Sequence, residues 1–306
     1  SLLATLLIAP IAWTSLQWAT YSSQQNGEIK SAGSFRSQAF IIVGALVLTG
    51  LLLALLAFVL ERAVGSQFLY VAGAGYWSGI TEATLAGSYL WPNILATAIA
   101  GSPIVTLLIA AGFILNGHQI VHNCYIGMTR VMVAMSLDRL LPEFVSRVSE
   151  RFRTPVNAHV VYFLASIPVI LLYNNFAYGE GDDAVSWGSL TLGVTFACGY
   201  VFVATALAGA LMPFRARAAY EASPGSKYTV GGVPVVTIVG LLGSATGVVF
   251  LYLFMTDERL GLTSQLAYAV VGGVLLFAAA WYFIAKSVRS SRGIDVSYAF
   301  KEIPPE

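Results

Sequence analysis

Two patches of this chain place hydrogen-bonding side chains inside otherwise apolar surroundings. The first is Thr14-Ser15-Leu16-Gln17-Trp18-Ala19-Thr20-Tyr21-Ser22-Ser23-Gln24-Gln25-Asn26-Gly27, which directly follows a nearly all-apolar run from Ser1 to Trp13. The second is Asn116-Gly117-His118-Gln119-Ile120-Val121-His122-Asn123, which follows the apolar run Ile94–Leu115. Neither patch contains a carboxylate, a cation or a nucleophile–base pair. Both offer hydroxyls, amides and backbone groups, which suit holding a small polar solute rather than transforming one.

Helical spacing puts Asn116, Gln119, Asn123 and Gly127 on one stripe and His118, His122 and Tyr125 on the adjoining one. Polar stripes in a membrane segment face the bundle interior or a water path. The alternative here is a polar end leading out of the bilayer. His118 and His122, four residues apart, could flank a metal, but no third ligand lies near. A proton-carrying role suits their titration near neutral pH, and helix–helix hydrogen bonding is the plainer role.

The elements that position these patches follow from composition. Charged residues make up 10% of the chain, hydrophobic residues 57%, and the mean hydropathy is +0.76. A soluble domain carries roughly 25% charged residues, so this chain cannot clothe itself for water. Seven apolar stretches have the length to cross a ~30 Å hydrocarbon core as tilted helices. They are Leu2–Tyr21, Ala39–Leu60, Pro92–Asn116 or somewhat beyond, Pro155–Tyr173, Trp187–Met212, Pro234–Met255 and Gln265–Ala285. None contains Asp, Glu, Lys or Arg, so any recognition within them rests on dipoles, hydroxyls, amides and aromatic faces.

Alternate connections differ in charge. Glu28–Gln38, Thr129–Thr154, Phe214–Val233 and the tail after Ala285 hold 14 of the 16 Lys and Arg. Glu61–Trp91, Asn174–Ser186 and Thr256–Ser264 hold only Arg62 and Arg259, with seven carboxylates. The positive-inside rule makes the first set cytoplasmic, with Ser1 outside and Glu306 inside a multi-pass protein of the cell membrane. Ser1 is not an initiator Met and no basic segment precedes the first apolar run, so the chain reads as the C-terminal part of something longer.

The first span is irregular. Its apolar part is about 12 residues, which at ~1.5 Å per residue covers only about half a bilayer. The polar part must then run through the membrane, and a half-helix ending near the midplane leaves backbone groups free for a ligand. An interfacial re-entrant segment, or a polar face packed on a missing neighbour, is the competing reading. In Trp187–Met212, Gly188, Gly193, Gly199 and Gly209 with Thr191, Thr195 and Thr205 read as close helix packing, with Thr195 lining a site as the alternative. Pro234–Met255 and Gln265–Ala285 read as lipid-facing or oligomer-facing helices.

Cys124 and Cys198 form no CxxC pair and read as buried thiols. HExxH, GxxxxGK[ST] and GxSxG are absent, so no metal, cofactor or enzyme chemistry is expected. The arginines of 130–153 are explained by membrane orientation, which leaves nothing that reads as nucleic-acid binding.

Four fragments in order carry a family resemblance. The loop Arg130–Ala158, with MSLDRLLPEF (Met135–Phe144) and RFRTPVNA (Arg151–Ala158), resembles the loop after the eighth helix of amino acid–polyamine–organocation (APC) superfamily permeases. QWATYSSQQNGEIK (Gln17–Lys30) is similar to the end of that family's broken sixth helix. KYTVGGVP (Lys227–Pro234) resembles the entry to its eleventh helix, and RGIDVSYAFKEIPPE (Arg292–Glu306) its prokaryotic tails.

The resemblance implies an all-α integral membrane protein covering helices six to twelve. Residues 1–212 would be the second inverted repeat of a five-plus-five helix core, its first helix broken near 13–18. Residues 213–306 would supply two peripheral transmembrane helices and a cytoplasmic tail. It implies secondary active transport of an amino acid or related small amine by alternating access, with missing N-terminal helices or a partner chain completing the site. By position, the family's sixth-helix break falls on Trp13, Thr14, Ser15, Leu16 and Gln17. There backbone carbonyls would bind the substrate's amino group and Trp13 would wall or gate the pocket. Asn116, Gln119 and Asn123 would approach the same cavity. Coupling to protons or by exchange is expected from the family alone. The rival reading is a non-transporting membrane subunit or scaffold with a permease-like fold.

Overall fold

The computed structural model describes residues 2–16, 18, 21–25, 34–77, 84–85, 88–178, 187–257 and 265–296. Among them the chain is almost entirely helical. In order the helices are α1 (Leu2–Leu16), α2 (Tyr21–Gln24), α3 (Phe35–Val64), α4 (Ser66–Trp77), α5 (Pro92–Ile99) and α6 (Pro103–Leu137). There follow α7 (Val156–Tyr178), α8 (Trp187–Arg215), α9 (Arg217–Ala222), α10 (Val235–Thr256) and α11 (Gln265–Ser290). Two-residue strands form two small hairpins, β1 (Thr84–Leu85) with β2 (Ser88–Tyr89) and β3 (Thr229–Val230) with β4 (Val233–Pro234).

Five helical segments among the described residues are long and apolar enough to cross a membrane: Phe35–Val64, Pro103–Leu137, Phe196–Arg215, Val235–Thr256 and Tyr268–Ser290. Val156–Leu171 is a shorter apolar segment, and α1 has 15 residues. No residue of α3 is buried, and Leu51, Leu55 and Phe58 stand open around it. Such a surface requires an apolar solvent. The chain is therefore an all-α multi-pass membrane protein.

The chain forms two compact units, one of Ser1–Ala39 with Met128–Glu306, the other of Phe40–Gly127. In the second unit, the expected span beginning at Pro92 is divided. α5 stops at Ile99, Gly101 takes φ +58°, and α6 starts at Pro103. Gly101 adopts the left-handed backbone that other residues avoid, and Pro103 is tolerated only in the first turn of a new helix. From there α6 runs 35 residues, roughly 52 Å at ~1.5 Å per residue. It outlasts the bilayer, so the expected loop from Thr129 is helical as far as Leu137.

In the larger unit, α8 and α10 make the closest helix pair. Thr237, Gly240, Ser244 and Gly247 lie buried along one side of α10. Their spacing of three and four residues makes a single face. Thr237 Oγ1 donates to the Ala210 carbonyl at 3.0 Å and Ser244 Oγ to the Val203 carbonyl at 2.9 Å. α10 is therefore no simple lipid-facing helix, because one side of it is committed to α8. A Cβ at Gly240 would stand 2.5 Å from the Ala206 carbonyl oxygen and 2.9 Å from the Ala210 nitrogen. The KYTVGGVP segment forms the β3–β4 hairpin, with Gly231 and Gly232 at φ +58° and +80° as a two-residue turn of this twist demands.

Gly240→Ala should destabilise the protein by about 1–3 kcal/mol, since the obstructing atoms are backbone. Gly243→Ala, whose added Cβ meets the Ala206 methyl at an ordinary 3.7 Å, should change stability little. Thermal unfolding of the two variants in detergent compares them directly.

Candidate functional site

α1 is helical from Leu2 through Leu16, so Trp13, Thr14, Ser15 and Leu16 belong to its last turn. Trp18 lies in a 3-10 turn, and α2 begins at Tyr21. Gln17, the fifth expected site residue, lies outside the described residues. Thr14 folds its hydroxyl back onto the Ile11 carbonyl at 2.6 Å, which satisfies the hydroxyl locally. The carbonyls of a helix's last turn point past its end, and in α1 that turn is Trp13 to Leu16. Together they make the negative pole of the helix dipole, worth about half an elementary charge.

The Trp13 side chain packs inward between α8 and α10. Its ring lies 5.4 Å from that of Phe250 and 6.3 Å from that of Phe202, both tilted. Ile11 and Trp13 pack against buried Phe196 and Phe254, together with Leu251 and Val271. A Cβ on Gly199 would stand 2.6 Å from the Trp13 ring, so glycine is what lets the indole lie against α8. Trp13 thus fastens the end of α1 to the α8–α10 pair.

Asn116, Gln119 and Asn123 all lie on α6, and each is exposed within its own unit. The spacing read from the sequence is therefore realised on one continuous helix. His122 Nδ1 lies 3.0 Å from the His118 carbonyl, and the two imidazoles meet edge to face at 4.3 Å. Among the described residues no three His, Cys, Asp or Glu converge as a metal site would need.

The most highly organised polar feature was not visible from spacing. α6 ends in a Schellman turn: Leu140 N–H donates to the Met135 carbonyl at 2.8 Å and Arg139 N–H to the Ser136 carbonyl at 3.0 Å, with Arg139 at φ +65°. The carbonyls that then point away from α6 are met by side-chain donors. Arg289 donates through Nε to the Arg139 carbonyl at 3.0 Å and through Nη2 to the Leu141 carbonyl at 2.9 Å. Trp281 Nε1 donates to the Leu140 carbonyl at 3.1 Å. Ser136 Oγ donates to the Pro142 carbonyl and Asn157 Nδ2 to the Phe144 carbonyl, both at 2.8 Å. The last helix therefore grips the turn after α6, about 150 residues earlier in the chain. A basic residue near a helix end reads simply as orientation, and only the tertiary fold shows which carbonyls it reaches.

Residues 2–276 match a family model described as amino acid permease. No curated protein and no solved structure matches the chain significantly.

Trp13→Ala should lower stability by about 2 kcal/mol, below the ~3–5 kcal/mol of a fully buried Trp because this ring is half-buried. Thermal melts checked against Gly199→Ala, which crowds the same contact, report it. Arg289→Gln removes charge-assisted bonds worth ~1.5–3 kcal/mol. Hydrogen exchange of the amides at 139–141 should speed up about tenfold, with Arg289→Lys intermediate because an ammonium cannot span two carbonyls as a fork does.

Proposed function

The chain belongs to the amino acid permease family, and from that membership we propose that it forms part of a secondary transporter moving an amino acid or related small amine across the cell membrane by alternating access. Residues 1–212 act as the second five-helix repeat of the transporter core, with residues 213–306 as two peripheral helices and a cytoplasmic tail. The basic connections face the cytoplasm. The observation that carries the reading is the end of α1. In a chain of permease lineage, an apolar helix stops at Leu16, where a run of hydroxyl and amide residues begins.

The carbonyl ends of Trp13, Thr14, Ser15 and Leu16 supply partial negative charge without a carboxylate, which suits an ammonium group. Gln17 adds an amide that can both donate and accept toward the same solute. Trp13 forms the wall behind this end, and its packing against Phe202 and Phe250 keeps that wall in place. Asn116, Gln119 and Asn123 contribute the neutral stripe of α6 to the substrate path. The seven spans read from the sequence carry no formal charge, which favours a neutral amino acid over a dication.

The test is uptake of labelled amino acids into proteoliposomes holding the full-length protein. Gln17→Ala should raise KM about tenfold, the equivalent of one lost hydrogen bond near 1.4 kcal/mol, while leaving thermal stability unchanged. An unaltered KM removes Gln17 from the site. Absence of uptake for every amino acid tried overturns the transporter reading itself.

A further inference from the structure

A cleft of about 510 Å³ lies between the turn after α6 and the last turns of α11. Its polar rim carries Arg139, Arg289 and Arg292 against one carboxylate, Glu143. Arg289 is already engaged with the carbonyls of the turn. Among the described residues no carboxylate forms an ion pair with Arg139 or Arg292. The opposite wall is apolar, formed by Ile284 and Val288 with the Trp281 ring. That wall continues along α11 onto Phe277 and Leu276, which are about 70% exposed.

The gradient runs along one helix. The N-terminal and central turns of α11 present apolar side chains outward, and from Lys286 onward Lys286, Arg289 and Arg292 join them. A ligand that fits both ends of this cleft must carry an anionic group joined to hydrocarbon. An apolar belt ending in arginines and an indole is also what a membrane-spanning helix shows at the headgroup level. The guanidinium groups of Arg139 and Arg292, which pair with no carboxylate among the described residues, can then face a phosphate with planar donors.

We propose that this cleft is a binding seat for an anionic phospholipid. The phosphate lies against Arg139 and Arg292, and the acyl chains follow Trp281, Ile284 and Val288 along α11. A zwitterionic lipid brings the same phosphate, but its ammonium meets a rim of three arginines and one glutamate and is disfavoured. The bound lipid sits directly on the Arg289 grip, so it bridges the last helix and the turn after α6. This inference rests on the membrane reading and is independent of which solute is carried.

Native mass spectrometry of the full-length protein in detergent tests it, with phosphatidylglycerol, phosphatidylcholine or inorganic phosphate added in separate arms. Phosphatidylglycerol should bind at least fivefold more tightly than phosphatidylcholine. The Arg139→Gln/Arg292→Gln pair should weaken phosphatidylglycerol about tenfold and abolish its preference over phosphatidylcholine. Arg292→Gln alone, which leaves the Schellman turn untouched, should give a partial loss. Arg217→Gln, which removes one positive charge outside the cleft, should have no effect. Equal affinity for the two lipids, or undiminished phosphatidylglycerol binding in the double variant, overturns the proposal. So does binding of inorganic phosphate with the same sensitivity to these variants, because the seat would then hold a soluble anion. Uptake of amino acids is read separately, so failure here does not count against transport.

Discussion

A backbone carbonyl at the end of a helix has no donor in its own helix, and in or beside hydrocarbon water does not freely supply one. Leaving it bare costs several kcal/mol. The architecture of this protein turns on how that constraint is met. In the turn after α6 it is met by side chains: the carbonyls of Arg139, Leu140, Leu141, Pro142 and Phe144 each receive a side-chain donor, drawn from α11, α7 and α6 itself. These bonds join segments far apart in sequence, so the turn is a tertiary joint as much as a connection. Breaking any one of them leaves a carbonyl to be solvated elsewhere.

The same solvent removes another familiar force. Lipid tails are as apolar as leucine, so helices gain little by hiding apolar side chains from them. What holds α8 to α10 is close approach and hydrogen bonding. Gly240 and Gly247 let α10 approach the α8 backbone and Val203, and Thr237 and Ser244 place hydroxyls on α8 carbonyls. Those carbonyls belong to helix interiors and accept a second bond without losing the first. The pair then provides the groove that takes the Trp13 ring, and so the end of α1 depends on a small-residue seam more than 180 residues away.

Much of this was legible in the sequence because the bilayer imposes strong patterns. Apolar length and the absence of charge marked the membrane helices, and the ordered motifs marked the permease family. KYTVGGVP reads only as the entry to a helix, although its two consecutive glycines suit the hairpin it forms. The break between α5 and α6 was also legible in principle, since Gly101-Ser102-Pro103 carries a left-handed position followed by a helix-starting proline. Hydropathy does not register it, because the surrounding run is apolar on both sides of the change of backbone. The commitment of α10 to α8 stayed hidden for a related reason: Gly, Ser and Thr among Val and Leu barely alter hydropathy, and their partner is chosen by shape. Arg289 and Trp281 read as an orientation signal and an interfacial anchor. Each is also a donor to a named carbonyl, which no one-dimensional pattern encodes. For the candidate site, the sequence located the residues along each helix, while relating the α1 end to the α6 stripe requires the two units together.

The contrast between the two helix ends bears on mechanism. Beyond the α6 end, the carbonyls of Arg139, Leu140 and Leu141 are each taken by a side-chain donor of α11. The α1 end points the carbonyls of its last turn along a run of neutral hydrogen-bonding residues. In the proposed site this difference is the functional one. A buried carboxylate would hold an ammonium strongly but would stand uncompensated whenever the site emptied, at a cost that opposes release. Helix-end carbonyls carry about half a charge between them and can be met by water in the empty state. They give an amine enough attraction to enter and not so much that it cannot leave. A carrier that must pass through an empty state in each cycle is better served by such a dipole than by a fixed charge.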